Sequence, residues 1–525
     1  MATSNRLHTY LRILLFAVYF INGIIVINLN SVASDETDHM YYGLRMLKGQ
    51  PQKINPYEDG STMPISAFNA LPRGIEQILH PGLTKTDGGI SDAIHGRYMT
   101  LLICVLAGFF VYRWSKEMFG EKAGLFSLFL FVFCPNLQAN IPLVGTDAYA
   151  MLFTLSSAYY FRKFILYSGW RNFILFSIQI GLAQIAKQSL FLLPIFFGVM
   201  AVILLLQRGS LIERFKINIG RLAVFTLIVL FIINIAFLFN GTGQSLIEYH
   251  FRSDTFLHIQ QWQLINRIPL PLPVPFIDGF DMVKHMLSMG SGNPEVSGRS
   301  YLLGNYFTGN ALWYYYSVII LFKTPLTVLL MLAAVFIAYF KNPFSKTNFF
   351  ATGFTLLLAF FFLIFISLNN TSQHGLRHLL MIYPLFYVCL GQLMTWKLFQ
   401  SKITLTAIVA YSLVTFYFYF PNLLSYTNEL IWDKKNAYKV LASTNIDHGQ
   451  CNIALTDYLS NHTDIKWPGS VPVAGEFILG INEYLDVKMT GKYTWLRNFK
   501  PYDHVDHCYL LFRISETDLL QKHLK

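Results

Sequence analysis

The sequence predicts a mainly α, polytopic membrane protein of about eleven transmembrane helices, with a small α/β domain at its C-terminal end. Three observations carry that expectation. Of 525 residues, 54% are hydrophobic and only 13% are charged, whereas soluble chains carry about a quarter of their residues as charges. Apolar stretches long enough to cross a hydrocarbon core recur from end to end. Lysine and arginine crowd the connections on one side of those stretches. The 47 Phe and 30 Tyr suit lipid-facing and interfacial surface.

The apolar runs lie near 11–29, 97–113, 123–139, 148–164, 172–186, 189–206, 222–240, 313–340, 349–368, 378–396 and 403–420. The first is too apolar and too long for an ordinary signal-peptide core and lacks a small-x-small cleavage site, so it reads as an uncleaved span. With a cytoplasmic N-terminus, the short loops on that side hold Arg6, Arg12, Arg113, Lys116, Lys122, Arg162, Lys163, Arg171, Arg208, Arg214, Lys216, Arg221, Lys341, Lys346, Lys397 and Lys402. Short loops on the other face hold only Lys187 and Arg377. This is the positive-inside pattern, and it accounts for the net charge of +11 without a nucleic-acid partner. Residues 30–96, residues 241–312 and the tail from 421 then lie outside.

Within the first outer loop, Met40, Leu44 and Leu47 share one helical face, Asp35 can cap the start, and Gly49-Gln50-Pro51 ends it. A short amphipathic helix along the membrane surface is expected there. In the second outer loop, the alternating prolines of RIPLPLPVPF (267–276) favour extended chain and exclude a helix. The chain divides into a membrane domain, 1–420, and an outer α/β domain, 421–525. In the latter, CNIAL (451–455), FILGI (477–481) and CYLLFRI (508–514) read as strands and TDYLSNH (456–462) as a helix. Cys104, Cys134 and Cys389 fall in spans. Cys451 and Cys508 share the outer tail, where an oxidising compartment would let them pair and a reducing one would not.

The residues that could carry chemistry collect on the outer face. SDETDHMYYG (34–43) places Asp35, Glu36, Asp38 and His39 where the first span ends. A helix N-terminus accounts for one or two such carboxylates through capping and the dipole, and less well for the rest. Asp147, in PLVGTDAYAML, is equally a helix cap or a second acid meeting Asp35 in one cavity. Paired carboxylates would let one act as a general base while the other orients an acceptor or binds a divalent cation. Lys187 interrupts apolar sequence, which is costly unless the side chain snorkels or functions. Arg97 opens the second span, QHGLRHL brings His374, Arg377 and His378 to the start of the tenth, and His80-Pro81 lies in the first outer loop. Acids and cations facing one compartment near lipid suit an anionic lipid headgroup with a leaving group. No HExxH, CxxC or P-loop is present.

Several stretches together carry a family resemblance. They are Asp35-Glu36 followed by Tyr41-Tyr42; ILHPG (78–82), with Gly82 where a second proline is common; HGRYMTLLICVLAGFFVYRWSKEMFGEKAGLFSLFLF (95–131); PLVGTDAYAMLF (142–153); and AQIAKQSLFLLP (183–194). Farther on come GNALWYYYSVIILFKTPLTVLLM (309–331), RHLLMIYPLF (377–386) and NIDHGQ (445–450), in which His448 stands at a tryptophan position. In this order the chain resembles the GT-C membrane glycosyltransferases, of the protein O-mannosyltransferase and aminoarabinose transferase group that uses polyprenyl-phosphate sugars.

The resemblance implies a GT-C fold in a multi-pass protein of a bacterial inner (plasma) membrane. It implies inverting transfer from a polyprenyl-phosphate-linked sugar to a hydroxyl of a protein, lipid A/lipopolysaccharide or glycan acceptor, with Asp35 as catalytic base. Glu36 and Asp147 would shape the acceptor site, or with Asp35 hold a divalent cation. Arg97, Lys187 and Arg377 would steady the phosphate, with His39, Tyr42, His80 and His374 contacting substrate. Lys323 is placed equally well in function or in packing. A transporter or flippase of lipid-linked glycans is the alternative, although no repeated halves are visible; a non-catalytic scaffold is a third reading.

Overall fold

The computed structural model describes residues 2–33, 35–80, 89–140, 143–206, 219–293, 298–341 and 349–523. Pro81-Gly82 of the His-Pro element, Pro142, and the basic residues Arg208, Arg214, Lys216 and Lys346 lie outside the described residues.

The fold is mostly helical, and helix covers each of the apolar runs. Among the described residues, Arg6–Leu29, Ser91–Phe119, Leu376–Thr395 and Lys402–Tyr419 are each long and apolar enough to cross a membrane. Gln188–Leu204, Gly220–Ala236 and Phe354–Asn369 are apolar but shorter. Apolar side chains such as Leu227 (66% exposed), Val414 (70%) and Ile403 (83%) face outward, as expected for a surface solvated by lipid. This is an integral membrane protein. Arg113 and Lys163 both meet Glu117, and Lys116 pairs with Glu121, at the far ends of the helices Ile90–Phe119 and Asp147–Tyr167. Arg97 and Asp147 stand at the opposite, N-terminal ends of the same two helices.

Four local expectations change. The run 313–340 is not one straight span: Tyr315–Lys323 and Leu326–Lys341 meet at 118°. Pro325 offers no N–H and disfavours helical geometry in the residue before it, and Thr324 is extended (φ −95°, ψ 134°). The carbonyls freed at the break are taken up by Asn428, whose amide donates to Leu321 O (2.6 Å) and Thr324 O (2.8 Å). Lys323, 2% exposed, donates to Leu424 O and Asn445 O, both at 2.6 Å. Its role here is to fasten the break to the C-terminal segment.

The helix Glu36–Leu47 forms where expected but does not lie on a membrane surface. Met40, Tyr42, Leu44 and Met46 are all buried, and the helix packs between Ser66–Leu79 and Ile90–Phe119. Gly43 permits that depth, because a β-carbon there would stand 2.3 Å from Ser66 O. The outward apolar face belongs instead to Ser66–Leu79, through Ile75 (53% exposed), Ile78 (77%) and Leu79 (67%). The proline-rich run is extended only as far as Pro273. Val274–Ser288 is helical, with Pro275 in the first turn, where no N–H is needed.

After Pro421 the chain builds a three-stranded antiparallel sheet in which Tyr509–Ile514 lies between Gly475–Gly480 and Asp503–Val505. The expected strand at 451–455 is the start of the helix Asn452–Asn461. Leu455, Tyr458 and Leu459 recur at helical spacing and pack on Cys451, Ile478 and Val505, so a 3.6-residue face outweighs the short apolar run. Cys451 and Cys508 are disulfide-bonded. Phe477, Leu479, Leu510 and Phe512 belong to the same hydrophobic cluster as the membrane helices.

One ion pair joins the ends of several of these elements. Glu36 and Arg97 are both 0% exposed. Arg97 donates from Nε to Glu36 Oε2 (2.8 Å) and from Nη2 to Oε1 (2.6 Å), and reaches Ile27 O (3.2 Å), Asn30 O (2.8 Å) and Ser31 O (2.7 Å) with its other N–H groups. Glu36 also accepts from the backbone N–H of Ala33 (2.7 Å) and Val144 (2.9 Å). Breaking such a pair leaves a bare buried charge, at about 3–5 kcal/mol. Arg97→Ala or Glu36→Gln should therefore lower the thermal unfolding midpoint sharply in detergent, followed by size-exclusion chromatography after heating. Replacing both together, Glu36→Leu with Arg97→Met, should recover part of the loss.

Candidate active site

Asp35 occupies the cap position of Glu36–Leu47, yet its side chain makes no capping hydrogen bond. It points across to the tenth apolar run and the C-terminal segment. Its Oδ2 is ion-paired with Arg377 Nη1, and its Oδ1 lies 2.9 Å from His448 Nε2. Arg377 Nη1 and His448 Nε2 are 3.3 Å apart; both reach the carboxylate as donors, so they flank it rather than bond each other. The Asp35 side chain keeps 30% of its surface open. Burial pushes its carboxyl up, but the charges of Arg377 and then His448 outweigh that and hold it well below the usual carboxylate range. It is ionised at neutral pH.

Arg377 lies in a tight 3₁₀ turn, Leu376–Ile382, whose first N–H is accepted by Asn445 Oδ1 at 3.0 Å. Thr444 Oγ1 donates to His374 O at 3.0 Å. The NIDHGQ run thus fixes both sides of the Asp35 contact, holding the backbone beside Arg377 with Asn445 and touching the carboxylate with His448. Gln450 steadies the run by accepting His448 N–H (2.7 Å), while its own carbonyl receives Ser31 N–H (2.9 Å).

Asp147 begins the helix Asp147–Tyr167 and is ion-paired with Lys187. Lys187 sits in extended conformation between the helix Trp170–Gln184 and the turn Gln188–Phe191, which frees its side chain from either helix. The Asp147 and Lys187 side chains are 20% and 16% exposed. Asp147 also lies in the field of Arg377 and His378. His39 is buried, 3.4 Å from Ser66 Oγ, and feels the charges of both Asp35 and Asp147. His374 is packed beside Arg377 and His448, with a buried Nε2 that has no hydrogen-bond partner.

The structure therefore brings together Asp35, Asp147, Lys187, Arg377, His39 and His374. It does not bring the remaining candidates to them. Glu36 and Arg97 saturate each other in the interior, so Arg97 has no N–H left for a phosphate and Glu36 no oxygen for a substrate. Tyr42 is 0% exposed and donates to Pro51 O at 3.0 Å. His80 is exposed at the end of Ser66–Leu79. His448 is the functional candidate that sequence reasoning passed over; its only signal was a histidine at an aromatic position of NIDHGQ.

A divalent cation held by Asp35, Glu36 and Asp147 does not fit this arrangement. Each carboxylate has its own cation, Arg377, Arg97 and Lys187 respectively. Among the described residues no group of three His, Cys, Asp or Glu side chains converges.

Residues 91–236 match the family model described as dolichyl-phosphate-mannose-protein mannosyltransferase. Over those residues the match agrees with the resemblance to membrane glycosyltransferases. No curated protein sequence matches significantly. Among solved structures, ArnT from Cupriavidus metallidurans bound to undecaprenyl phosphate is 13% identical, with 92% of this chain and 75% of that one covered and a TM-score of 0.48. Its apo form gives 12%, 94%, 76% and 0.49. The archaeal oligosaccharyltransferase AglB from Archaeoglobus fulgidus, in complex with an inhibitory peptide and a dolichol-phosphate, gives 14%, 76%, 54% and 0.45. At those values the likenesses transfer no residue roles.

His374 offers a pH test of the packing around Arg377. Burial, then Arg377 and His448, push its pKa down from 6.5 to about 4. Between those values the unfolded chain binds the extra proton and the folded one does not, so stability falls as pH drops from about 6.5 toward 4. His374→Gln should flatten that limb of the unfolding midpoint measured across the same range.

Proposed function

We propose that the protein is an inverting glycosyltransferase, moving a sugar from a polyprenyl-phosphate donor to a hydroxyl acceptor on the outer face of a bacterial inner membrane. The acceptor is a protein, a lipid A/lipopolysaccharide or another glycan. In this reading about eleven spans enclose the site, the N-terminus is cytoplasmic, and residues 421–525 form an outer domain. The match to a mannosyltransferase family model supports transferase over transporter.

The observation that carries the proposal is Asp35, a part-exposed carboxylate held ionised between Arg377 and His448 although it stands at a helix start it does not cap. Asp35 takes the acceptor hydroxyl proton as that oxygen attacks the anomeric carbon. The bond from that carbon to the phosphate oxygen breaks, and polyprenyl phosphate leaves with the electron pair, inverting the configuration. Arg377 and Lys187 are the cations placed to receive the phosphate charge. Asp147 keeps Lys187 in place until the donor arrives. Arg377 has a second effect: once part of its charge is engaged by phosphate, its hold on Asp35 weakens and the carboxylate becomes a stronger base when the substrates are present. His448 is a positioning residue, fixing the oxygen that Arg377 does not. Glu36 and Arg97 maintain the frame.

The test is release of polyprenyl phosphate by purified protein from a panel of polyprenyl-phosphate hexoses, pentoses and uronic acids, with a crude acceptor extract. Asp35→Asn should lower release by about 10²–10⁴-fold, and EDTA should leave it unchanged. Full release by folded Asp35→Asn would sink the proposal. His448→Phe removes a donor that lowers the Asp35 pKa, so the acid limb of its pH–rate profile should move to higher pH while the donor KM changes little.

A further inference from the structure

Next to this site, beneath the second outer segment, is a polar cavity of about 200 Å³. Glu248, Tyr249, His250 and Arg252 line it from one side, and Asp278 and Asp281, on the helix Val274–Ser288, from the other. Lys53 contributes from the first outer loop.

Three of its charges are already committed to the protein, Glu248 through the backbone N–H of Ser245 (3.1 Å). Asp281 accepts the backbone N–H of Arg252 (2.8 Å) and Ser253 (2.9 Å) and the Ser253 hydroxyl (2.7 Å). Lys53 Nζ donates to Asp59 O (2.6 Å), to Thr62 O and to Thr62 Oγ1 (3.2 Å). Asp278 differs: its carboxylate accepts no hydrogen bond from the described residues, although Arg252 and His250 lie within electrostatic range. Tyr249 is only 5% exposed, and its hydroxyl has no hydrogen-bond partner among the described residues. The phenol and the carboxylate are close enough to feel each other. A buried hydroxyl and a half-buried carboxylate left open cost free energy that a ligand between them would return.

One of the cavity's walls, the helix Val274–Ser288, contacts the segment that carries Lys187. Gln188, which follows Lys187, donates to Gly60 O at 2.8 Å. Its amide also lies against Gly279, where a β-carbon would stand 3.3 Å from Gln188 Nε2 and 3.5 Å from Lys53 Cε. The helix that carries Asp278 therefore packs, at Gly279, against the residue that follows Lys187.

The lining mixes acceptors, Asp278 and Glu248, with donors, Arg252, His250 and the Tyr249 hydroxyl. A phosphate or carboxylate would meet three carboxylates, Asp278, Asp281 and Glu248, and a lipid tail would desolvate all of them. Sugar hydroxyls both donate and accept, and the volume is below the roughly 300–1,000 Å³ of pockets for larger ligands. We infer that this cavity is a saccharide subsite that seats one uncharged sugar ring of the substrate, with Asp278 accepting from ring hydroxyls and Tyr249 and Arg252 donating to them. The inference rests on the glycosyl-transfer reading and narrows its substrate to a neutral sugar at this position.

The test uses the full chain in nanodiscs, with saturation-transfer NMR of the methyl glycosides of glucose, mannose and galactose and of methyl glucuronide. Neutral glycosides should receive saturation in the wild type and in Asp35→Asn. Asp278→Asn and Tyr249→Phe should lose at least about five-fold of that signal, with unchanged unfolding midpoints; the glucuronide should give none. An equal signal in Asp278→Asn, a preference for the glucuronide, or no signal in the wild type overturns the subsite. Polyprenyl-phosphate release on the same samples separates the two readings. Asp35-dependent release without glycoside binding leaves the transferase and removes the cavity, whereas Asp278-dependent binding without release does the reverse.

Discussion

The buried pair of Glu36 and Arg97 is the interaction on which the end of the molecule that carries the site depends. Five N–H groups and four carboxylate lone-pair directions are satisfied without water. The groups they bind come from the end of the first helix, the loop behind it, the helix Glu36–Leu47, the helix Ile90–Phe119 and the loop before Asp147. A buried ion pair is tolerable only when the remaining hydrogen-bonding positions of both partners are filled. Filling them fixes five chain segments relative to one another, and so fixes where Asp35 and Asp147 stand.

Two neighbouring carboxylates consequently have different fates. At the start of a helix, successive side chains diverge by about 100°. Glu36 turns inward to Arg97, and Asp35 turns toward Arg377 and His448. The same division recurs around the site. Lys187 and Arg377 are paired but part-exposed, and a part-exposed cation can exchange a carboxylate for a phosphate at small cost. Arg97 cannot.

The C-terminal segment completes the site as well as covering it. Asn445 holds the turn that carries Arg377, and His448 holds Asp35. Asn445 O also receives Lys323 from the break in Tyr315–Lys341. The bend at Thr324-Pro325, the Arg377 turn and the NIDHGQ run are thereby one connected assembly, so the membrane helices and the outer segment share a core and a polar network.

The sequence by itself determined the membrane character, the order of apolar helices, the crowding of lysine and arginine into alternate connections, and Asp35, Asp147, Lys187 and Arg377 as the groups to watch. Hydropathy and lysine–arginine bias are properties of local text, and uncompensated charge at the edge of an apolar run is legible there. Cys451 and Cys508 could be named as a possible pair, but only their approach in space decided it. Tertiary structure decided the rest. Whether a carboxylate caps its helix, is sealed by an arginine 61 positions away, or meets a histidine 413 positions away depends on long-range packing. Local pattern favoured a surface position for Glu36–Leu47 and a strand at 451–455; burial against Ser66–Leu79 and a helical contact face overruled both. Glu36 and Asp35 are equivalent in sequence, and they become different residues only when Arg97 and Arg377 arrive from different parts of the chain.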